Sequence, residues 1–256
     1  MYIPLYGKAY VSRKGIILSD KRAEEIWAKE CFPLKGKSRS KWLAYYMGMR
    51  SAVIDSLTKK AMSLMPSAAI VHIGCGMDSR VERVGRGDHA WYDIDFPAVI
   101  SERRRYFGEC DGYRMIEADV TEAGWLDKIP SGESAVVVME GVSMYMSPEA
   151  LKKVLTDISA HFGRVQVIMD CYTELAAKLS KYKNPINDVG VTLVYGIDDP
   201  RVLEEDAMKF KAEHRITPDS LIDELCGMEK RIFKRLYAGG VAEKMYRLYE
   251  YEKTVK

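Results

Sequence analysis

The chain has 256 residues, 47% of them hydrophobic, so it can bury a large core. Its formal net charge of +2 argues against a strongly basic surface for nucleic acid or membranes. Five scattered cysteines without C-x-x-C spacing argue against a disulfide framework and a zinc site, and favour reduced thiols. No apolar run approaches the roughly 18 to 20 residues that span a bilayer. We therefore expect a cytoplasmic protein without nucleic-acid or membrane partners.

Two helical patterns come first along the chain. The pair Ser19–Asp20 predicts the N-cap of a helix that ends at about Cys31 and carries hydrophobic residues on one face. After a break rich in proline and glycine, a longer helix is predicted from Ser40 to about Met65. We interpret residues 1–66 as an N-terminal helical cap over the core that follows.

From residue 67 onward, strand and helix patterns alternate. The predicted strands are Ala68–Ile73, Ala90–Ile94, Tyr113–Ala118, Ala135–Met139 and Val165–Met169, and two of the helices are Pro97–Phe107 and Pro148–His161. This alternation predicts an α/β fold with a doubly wound, mostly parallel seven-stranded sheet that is covered on both faces. Residues 1–256 are expected to form one domain, with residues 67–256 as its Rossmann-like core.

The last part of the chain is less regular. The segment Tyr182–Pro200 is rich in turn-forming residues and predicts a loop insertion. After it, Lys209–Ile216 is a candidate sixth strand, Pro218–Tyr237 one or two helices, and Arg247–Thr254 a terminal strand. The dense basic run Arg103–Arg105 lies in a predicted helix, and we interpret it as a solvated face.

The segment Ile70–Arg80 has the pattern of a buried strand that enters a glycine turn at Gly74 and Gly76. Glycines at such a turn let a ligand approach the backbone without a Cβ in the way. About twenty residues further on, a second short strand ends at Asp95, with Asp93 as a rival acid. A carboxylate at that position can accept hydrogen bonds from both ribose hydroxyls. Together the two features predict a nucleoside site at the carboxyl edge of the sheet.

The glycine spacing also distinguishes between cofactors. A dinucleotide turn has a third glycine, in the pattern G-x-G-x-x-G, which lets a pyrophosphate reach the helix N-terminus. Here the next glycine is Gly85, and the carboxylate of Asp78 would repel a pyrophosphate. A cofactor with an adenosine and no phosphate fits better. We therefore expect S-adenosylmethionine and disfavour a nicotinamide oxidoreductase.

Four segments together resemble a known family. They are Val71–Arg80, Trp91–Pro97, Ala118–Leu126 and Met139–Tyr145. Their order and spacing resemble the leucine carboxyl methyltransferase family, and within it the O-methyltransferases of tetracenomycin-type polyketide biosynthesis. The resemblance implies a Rossmann-like methyltransferase fold that binds S-adenosylmethionine at the carboxyl ends of its strands.

The resemblance also implies a set of cofactor-binding residues. They are Lys8 and Arg50 for the carboxylate, Gly74 and Gly76 for the methionine and ribose, Asp95 for the ribose hydroxyls, Asp119 with Val120 for the adenine, and Glu140 facing the cofactor. Where many relatives carry a second arginine two positions after Arg50, this chain has Ala52, so a clamp of two arginines is not expected.

Structural roles compete with several of these assignments. Asp95 could instead cap the helix that follows it, and Asp119 could cap a turn. A buried Glu140 needs a partner, and a salt bridge to Arg50 would serve as well as a cofactor. Lys8 lies near the beginning of the chain, where a lysine is usually solvated. For these positions both interpretations stay open at the level of the sequence.

The favoured function is an S-adenosylmethionine-dependent O-methyltransferase that acts on a carboxylate or hydroxyl of a small, polyketide-like acceptor. Methyl transfer from a sulfonium mainly requires alignment and exclusion of water. Tyr145 is the candidate for contact with the acceptor, and a structural tyrosine is the alternative. No general base and no metal-ligand spacing is evident. Two rival functions remain, a methyltransferase for protein C-terminal carboxyl groups and a non-catalytic S-adenosylmethionine sensor.

Overall fold

The computed structural model describes residues 1–32, 34, 36–183 and 193–253. Its strands, in chain order, are β1 (Ala69–Ile73), β2 (Trp91–Asp95), β3 (Tyr113–Glu117), β4 (Gly132–Met139), β5 (Phe162–Tyr172), β6 (Lys209–His214) and β7 (Tyr246–Lys253). They form one seven-stranded sheet in the order β3-β2-β1-β4-β5-β7-β6. Strands β1 to β5 are parallel, and β7 is antiparallel to both β5 and β6. The predicted doubly wound, mostly parallel sheet is confirmed, with a late antiparallel pair at one edge.

The helices surround this sheet. They are α1 (Tyr2–Lys14), α2 (Lys21–Lys29), α3 (Lys41–Leu64), α4 (Arg80–Val84), α5 (Pro97–Arg103), α6 (Pro148–His161), α7 (Glu174–Lys183), α8 (Asp219–Ile222), α9 (Gly227–Tyr237) and α10 (Gly240–Glu243). As the sequence predicted, Asp20 caps α2 by accepting a hydrogen bond from the Ala23 amide, at 2.8 Å. Ser147 caps α6 in the same way.

Helix α1 was not predicted from the sequence. It has no side-chain N-cap, and its buried residues lie on several faces, so it lacks the single hydrophobic stripe that reveals an amphipathic helix. Tertiary packing stabilises it instead. A Cβ built at Gly7 would lie only 2.7 Å from Met47 Cβ, so the glycine allows α1 to approach α3 closely.

Hydrophobic side chains fill both faces of the sheet. On one face, Ile54 and Ala61 of α3 pack with Ile70 of β1 and Val136 of β4. On the other face, α6 packs against the alternate strand residues, for example Val71. Successive side chains of a strand point to opposite faces, and strands covered on both sides are therefore hydrophobic throughout. This packing fixes the strand ends that carry the candidate site.

The structure corrects the prediction for the basic run Arg103–Arg105. Arg104 and Arg105 are exposed, but Arg103 is fully buried and pairs with Asp93 at 2.5 Å. Its guanidinium also donates to the Gly76 carbonyl oxygen, at 3.0 Å. The prediction was wrong for this residue because α5 ends at Arg103, whose side chain faces the sheet, while Arg104 and Arg105 lie in the turn that follows.

Of the predicted insertion Tyr182–Pro200, residues 184–192 lie outside the described residues, and residues 193–199 form no helix or strand. The two antiparallel strands after it, β6 and β7, confirm the predicted terminal pair. The segment Pro218–Tyr237 forms two helices, α8 and α9. Within the described part of the chain, we find no helix with the length and hydrophobicity needed to cross a membrane.

Candidate functional site

A cavity of about 830 Å³ opens at the carboxyl ends of β1 to β5. It lies within the size range of small-molecule sites. Every site residue predicted from the sequence lines it: Lys8, Arg50, Gly74, Gly76, Asp95, Asp119, Val120, Glu140 and Tyr145. Residues of α1 and α3 complete the wall, so the N-terminal helices cover this edge of the sheet. The structure thus brings together residues from six separate places along the chain.

The glycine turn has the geometry that the sequence predicted. Gly74 and Gly76 both have positive φ angles, +66° and +50°, in the left-handed region that favours glycine. A Cβ at Gly74 would overlap Val142, at 2.1 Å, so this glycine is required by packing. A Cβ at Gly76 would meet Met1 Cβ at 3.4 Å, an ordinary contact distance. Of the two glycines, Gly76 is therefore the one whose backbone is more open to a ligand.

Asp95 lies directly beside this turn. One carboxylate oxygen accepts from the Gly76 amide at 2.8 Å, and the other accepts from the Phe96 amide at 2.8 Å. Burial raises the pKa of Asp95, although both amides oppose the shift. Each oxygen keeps a lone pair for a ribose hydroxyl. The rival acid, Asp93, is fully buried and bonded to His72, Trp91, Arg103 and Tyr113, so its role is internal.

Asp119 and Val120 follow β3 on the same cavity wall. Asp119 Oδ1 accepts from the amide of Thr121, at 2.9 Å, and from its hydroxyl, at 2.7 Å. The turn-capping role that competed for this residue is thus present. The second oxygen of Asp119 is left for a ligand, and the adenine contact stays a prediction.

Lys8 is buried rather than solvated, with 2% of its surface exposed. Its ammonium group pairs with Asp78, at 3.2 Å. Burial opposes ionisation of Asp78, but Arg80, Arg83 and Lys8 outweigh it and hold the pKa of this carboxyl well below its usual value. Lys8 is thus a charged group at the cavity wall beside the glycine turn.

Arg50 and Glu140 form a buried ion pair, which was the structural alternative for both residues. Arg50 donates to Glu140 from Nε and Nη2, at 3.1 and 2.9 Å. Its other nitrogen, Nη1, lies 3.0 Å from Asp170 Oδ2 and donates to Tyr246 at 2.7 Å. Most donors of Arg50 are therefore engaged by the protein. Direct contact of Arg50 with a cofactor carboxylate remains a prediction.

Arg80 is a member of this network that sequence analysis missed. It is fully buried, and its guanidinium contacts three carboxylates, those of Asp55, Asp78 and Glu140. Because Arg80 ends the glycine motif, its position was visible in the sequence. Its partner Asp55 lies in the middle of α3, and no local pattern indicates that the two side chains meet.

Arg80 also determines which ring nitrogen of His72 carries the proton. Arg80 can only donate, so His72 Nε2 accepts its hydrogen bond, at 3.0 Å. Nδ1 of His72 then carries the proton and donates to Asp93, at 2.9 Å. His72 is thus a structural link between two buried ion pairs. Among the described residues, no cluster of acids, cysteines and histidines suits a metal ion.

Tyr145 lies past Glu140 in a short helical turn, and 43% of its surface is exposed. Partial burial of its hydroxyl end raises the pKa of Tyr145 to about 12. Three further tyrosines line this half of the cavity, Tyr46, Tyr172 and Tyr246. Sequence analysis did not select them, because they come from three distant elements. The half of the cavity over β4, β5 and β7 is therefore aromatic, whereas the half over β1 to β3 is acidic.

The buried acids predict a loss of stability at low pH. The pKa values of Asp78, Asp93 and Glu140 are lowered, because their cationic partners outweigh burial. The unfolded chain therefore binds more protons than the folded one below about pH 4.3, and the free energy of unfolding should fall there. Asp95 and Asp170 have raised pKa values and oppose this trend, but three lowered groups should outweigh two. Urea unfolding between pH 7 and pH 3 measures the slope, and stability that rises on acidification would contradict the ion network.

Lys8 and Arg50 should both be needed for cofactor affinity. Lys8→Met removes a buried cation whose ammonium has donors left, and we expect S-adenosylmethionine to bind about ten- to a hundredfold more weakly. Arg50→Ala should weaken binding similarly and also destabilise the fold, because it leaves Glu140 and Asp170 without their partner. Calorimetry and urea unfolding separate the two effects. If Arg50→Ala lowers stability while affinity is unchanged, Arg50 is a structural residue only.

Comparison with known proteins agrees with this geometry. Residues 6–159 match the family described as leucine carboxyl methyltransferase. The chain is 31% identical, over 189 residues, to the tetracenomycin polyketide synthesis O-methyltransferase TcmP of Streptomyces glaucescens. That match covers 73% of this chain and 70% of TcmP. It is also 27% identical to the S-adenosyl-L-methionine-dependent methyltransferase dpfgK of Gibberella zeae, over 70% of this chain and 65% of that protein.

Solved structures share the fold. The magnesium protoporphyrin IX methyltransferase of Synechocystis, with bound S-adenosylhomocysteine, aligns with a TM-score of 0.52 over 91% of this chain and 93% of its own, at 12% identity. A DUF574 family protein of Streptomyces avermitilis aligns with a TM-score of 0.60 over 99% of this chain and 97% of its own, at 8% identity. The open backbone at Gly76, the unsatisfied lone pairs of Asp95 and the buried cation Lys8 suit an adenosine linked to an amino acid. The chain belongs to the leucine carboxyl methyltransferase family and is a methyltransferase whose cofactor is S-adenosylmethionine.

Proposed function

We propose that this protein transfers a methyl group to an oxygen atom, a carboxylate or a hydroxyl, of a small polyketide-like acceptor. The observation that carries the proposal is one continuous cavity with two chemically different halves. The half over β1 to β3 presents carboxylates and the glycine turn to a nucleoside. The half over β4, β5 and β7 presents tyrosine rings to an organic acceptor. The polyketide pathway in the name of TcmP supports the same class of acceptor.

In this proposal each site residue has one task. Asp95 holds the ribose hydroxyls, Asp119 and Val120 frame the adenine, and Lys8 pairs with the carboxylate of the cofactor. S-adenosylmethionine supplies a methyl group on a cationic sulfonium when it is bound. The protein aligns the acceptor oxygen with that methyl group and excludes water from the cavity. Glu140 keeps Arg50 and Arg80 in place, and Tyr145 covers the acceptor half.

The alternative of a protein carboxyl methyltransferase needs an entrance for a peptide C-terminus. The described residues contain no insertion that obviously supplies one. A non-catalytic sensor would bind the cofactor without turnover, and the presence of an acceptor half in the same cavity argues against it.

A methyl-transfer screen tests the proposed function. Purified protein with methyl-labelled cofactor is offered small phenols, small carboxylic acids, peptides that end in leucine, and amines. We expect label in the phenols or the small acids. Label only in the peptides would support the protein carboxyl methyltransferase, and label only in amines would refute transfer to oxygen. Calorimetric binding of S-adenosylmethionine without any transfer would support the sensor.

A further inference from the structure

Tyr246 and Asp170 form a hydrogen-bonded pair at the acceptor half of the cavity. Tyr246 begins β7 and lines the cavity, while Asp170 lies directly behind it near the end of β5. The Tyr246 hydroxyl donates to Asp170 Oδ2, at 2.5 Å. Neither residue was selected from the sequence, in which 76 positions separate them. The antiparallel pairing of β5 and β7 brings them together.

The proton of the Tyr246 hydroxyl is therefore engaged in a hydrogen bond to Asp170. One of the two lone pairs of the hydroxyl oxygen is also engaged. Arg50 donates to the same oxygen, at 2.7 Å. A phenolic oxygen has one donor and two acceptor sites. The site that remains on Tyr246 is an acceptor, so it can receive a proton from an acceptor hydroxyl. A carboxylate in the same place would meet a lone pair and no donor.

The surroundings of Asp170 affect how readily its carboxylate takes up a proton. It is fully buried, its Oδ1 accepts from the Gly141 amide at 2.7 Å, and its Oδ2 lies between Tyr246 and Arg50. Burial raises the pKa of Asp170 and Glu140 adds to the shift, while Arg50, the Tyr246 hydroxyl and the Gly141 amide oppose it. The neutral form of this carboxyl is thus more accessible than that of an ordinary aspartate.

The charges around Tyr246 and Asp170 favour a neutral acceptor. Among the described residues, the cation that lines this half of the cavity is Arg50 of α3. Its positive charge is already balanced by the carboxylates of Glu140 and Asp170. Two neutral rings also face Tyr246, with the Tyr172 ring centre at 4.9 Å and that of Tyr46 at 6.2 Å. An uncompensated carboxylate in this surrounding would be costly to bury, whereas a neutral aromatic hydroxyl would not.

We infer that the acceptor is an aromatic hydroxyl and that Tyr246, backed by Asp170, removes its proton during methyl transfer; this inference rests on the proposed function. The acceptor oxygen attacks the methyl carbon and displaces neutral sulfur, which keeps the electron pair of the carbon–sulfur bond. The acceptor proton passes to Tyr246 Oη while the Tyr246 proton passes to Asp170 Oδ2. Arg50 stabilises the negative charge on the tyrosine oxygen as the two protons move. Asp170 then returns its proton to solvent after product release.

Binding to the product complex gives a first test that needs no turnover. Protein saturated with S-adenosylhomocysteine is titrated calorimetrically with 2-naphthol and with 2-naphthoate. Wild type should prefer 2-naphthol, and Tyr246→Phe should weaken 2-naphthol binding about five- to tenfold because one hydrogen bond is lost. Tyr249→Phe is the matched control. It removes a buried hydroxyl from the same strand, at the other face of the sheet, and should leave both affinities unchanged. Tighter binding of 2-naphthoate by wild type would overturn the inference.

Methyl transfer to hydroxyl acceptors of graded acidity gives the second test. Removing a general base costs about 100-fold or more when the acceptor is a weak acid. Tyr246→Phe and Asp170→Asn should therefore slow transfer to 2-naphthol by that factor, yet slow transfer to a more acidic hydroxyl, such as that of a nitrophenol, much less. An equal loss for all acceptors would assign both residues a structural role and overturn the inference. Transfer by wild type to carboxylates alone would also overturn it while the proposed function stands. Transfer by wild type to no oxygen acceptor would refute the proposed function itself.

Discussion

Replacing Gly76 by valine is expected to abolish binding of S-adenosylmethionine, with affinity reduced more than about 100-fold. The φ angle of Gly76 is +50°, where a β-branched residue is strained by roughly 1–3 kcal/mol. The new side chain would also occupy the cavity wall next to Asp95, where the backbone must come close to the ligand. Both effects act directly on the nucleoside half of the cavity. Calorimetric titration of the variant with the cofactor measures the loss.

A matched control separates strain from obstruction. Gly87 has a similar φ angle, +56°, but nothing lies within 4 Å of a Cβ built there, and the residue is exposed outside the cavity. Gly87→Val should therefore show the cost of strain in urea unfolding while cofactor affinity stays at the wild-type value. If both variants lose affinity equally, backbone strain and not a blocked cavity explains the effect. If neither does, Gly76 does not contact the cofactor.

Replacing Arg80 by leucine is expected to lower the free energy of unfolding by about 3–5 kcal/mol. The guanidinium is fully buried and contacts Asp55, Asp78 and Glu140, so its loss leaves carboxylates in a region from which water is excluded. His72 would also lose the donor to its Nε2. Urea unfolding at pH 7 gives the change directly. The same variant should regain part of its stability at pH 4, where the unpaired acids can take up protons.

The control for Arg80 is a surface pair. Arg104 and Glu117 form an ion pair whose side chains are 42% and 41% exposed. Exposed pairs contribute about 0–1 kcal/mol because water screens both charges, so Arg104→Ala should change stability by no more than that. A similar small change for Arg80→Leu would show that the buried network is not a determinant of stability.

The sequence by itself determined the sheet and most of the cavity wall. Short hydrophobic runs, broken by glycine and proline, located β1 to β5, and the carboxyl ends of parallel strands necessarily meet at one edge. Residues that follow those strands, such as Gly76, Asp95, Asp119 and Glu140, therefore had to be close in space. The sequence around each of these residues was sufficient to predict its position, because each one lies at the end of its own strand.

Only the tertiary structure decided which charged groups pair. Arg50 could have faced a cofactor or a carboxylate, and its bonds to Glu140 and Asp170 depend on how α3 crosses the strand ends. Arg103 looked solvated in a run of three arginines, yet the packing of α5 turns it toward Asp93. Helix α1 lacks an amphipathic pattern, because its contacts with other helices and with the cavity use several faces. Pairings of this kind depend on long-range packing, which local periodicity does not encode.

In the acceptor half of the cavity, too, one residue was predicted from the sequence and the others only meet in the folded structure. Tyr145 follows β4 and was found from its position in the chain, whereas Tyr46, Tyr172 and Tyr246 come from α3, β5 and β7 and meet only after folding. The decisive step is the insertion of β7 between β5 and β6, antiparallel to both, which sets Tyr246 opposite Tyr172 and next to Asp170. Strand order in a sheet is set by which hydrophobic faces and edges pack together across the whole chain. The sequence thus determined the nucleoside half of the site, and the topology of the sheet determined the acceptor half.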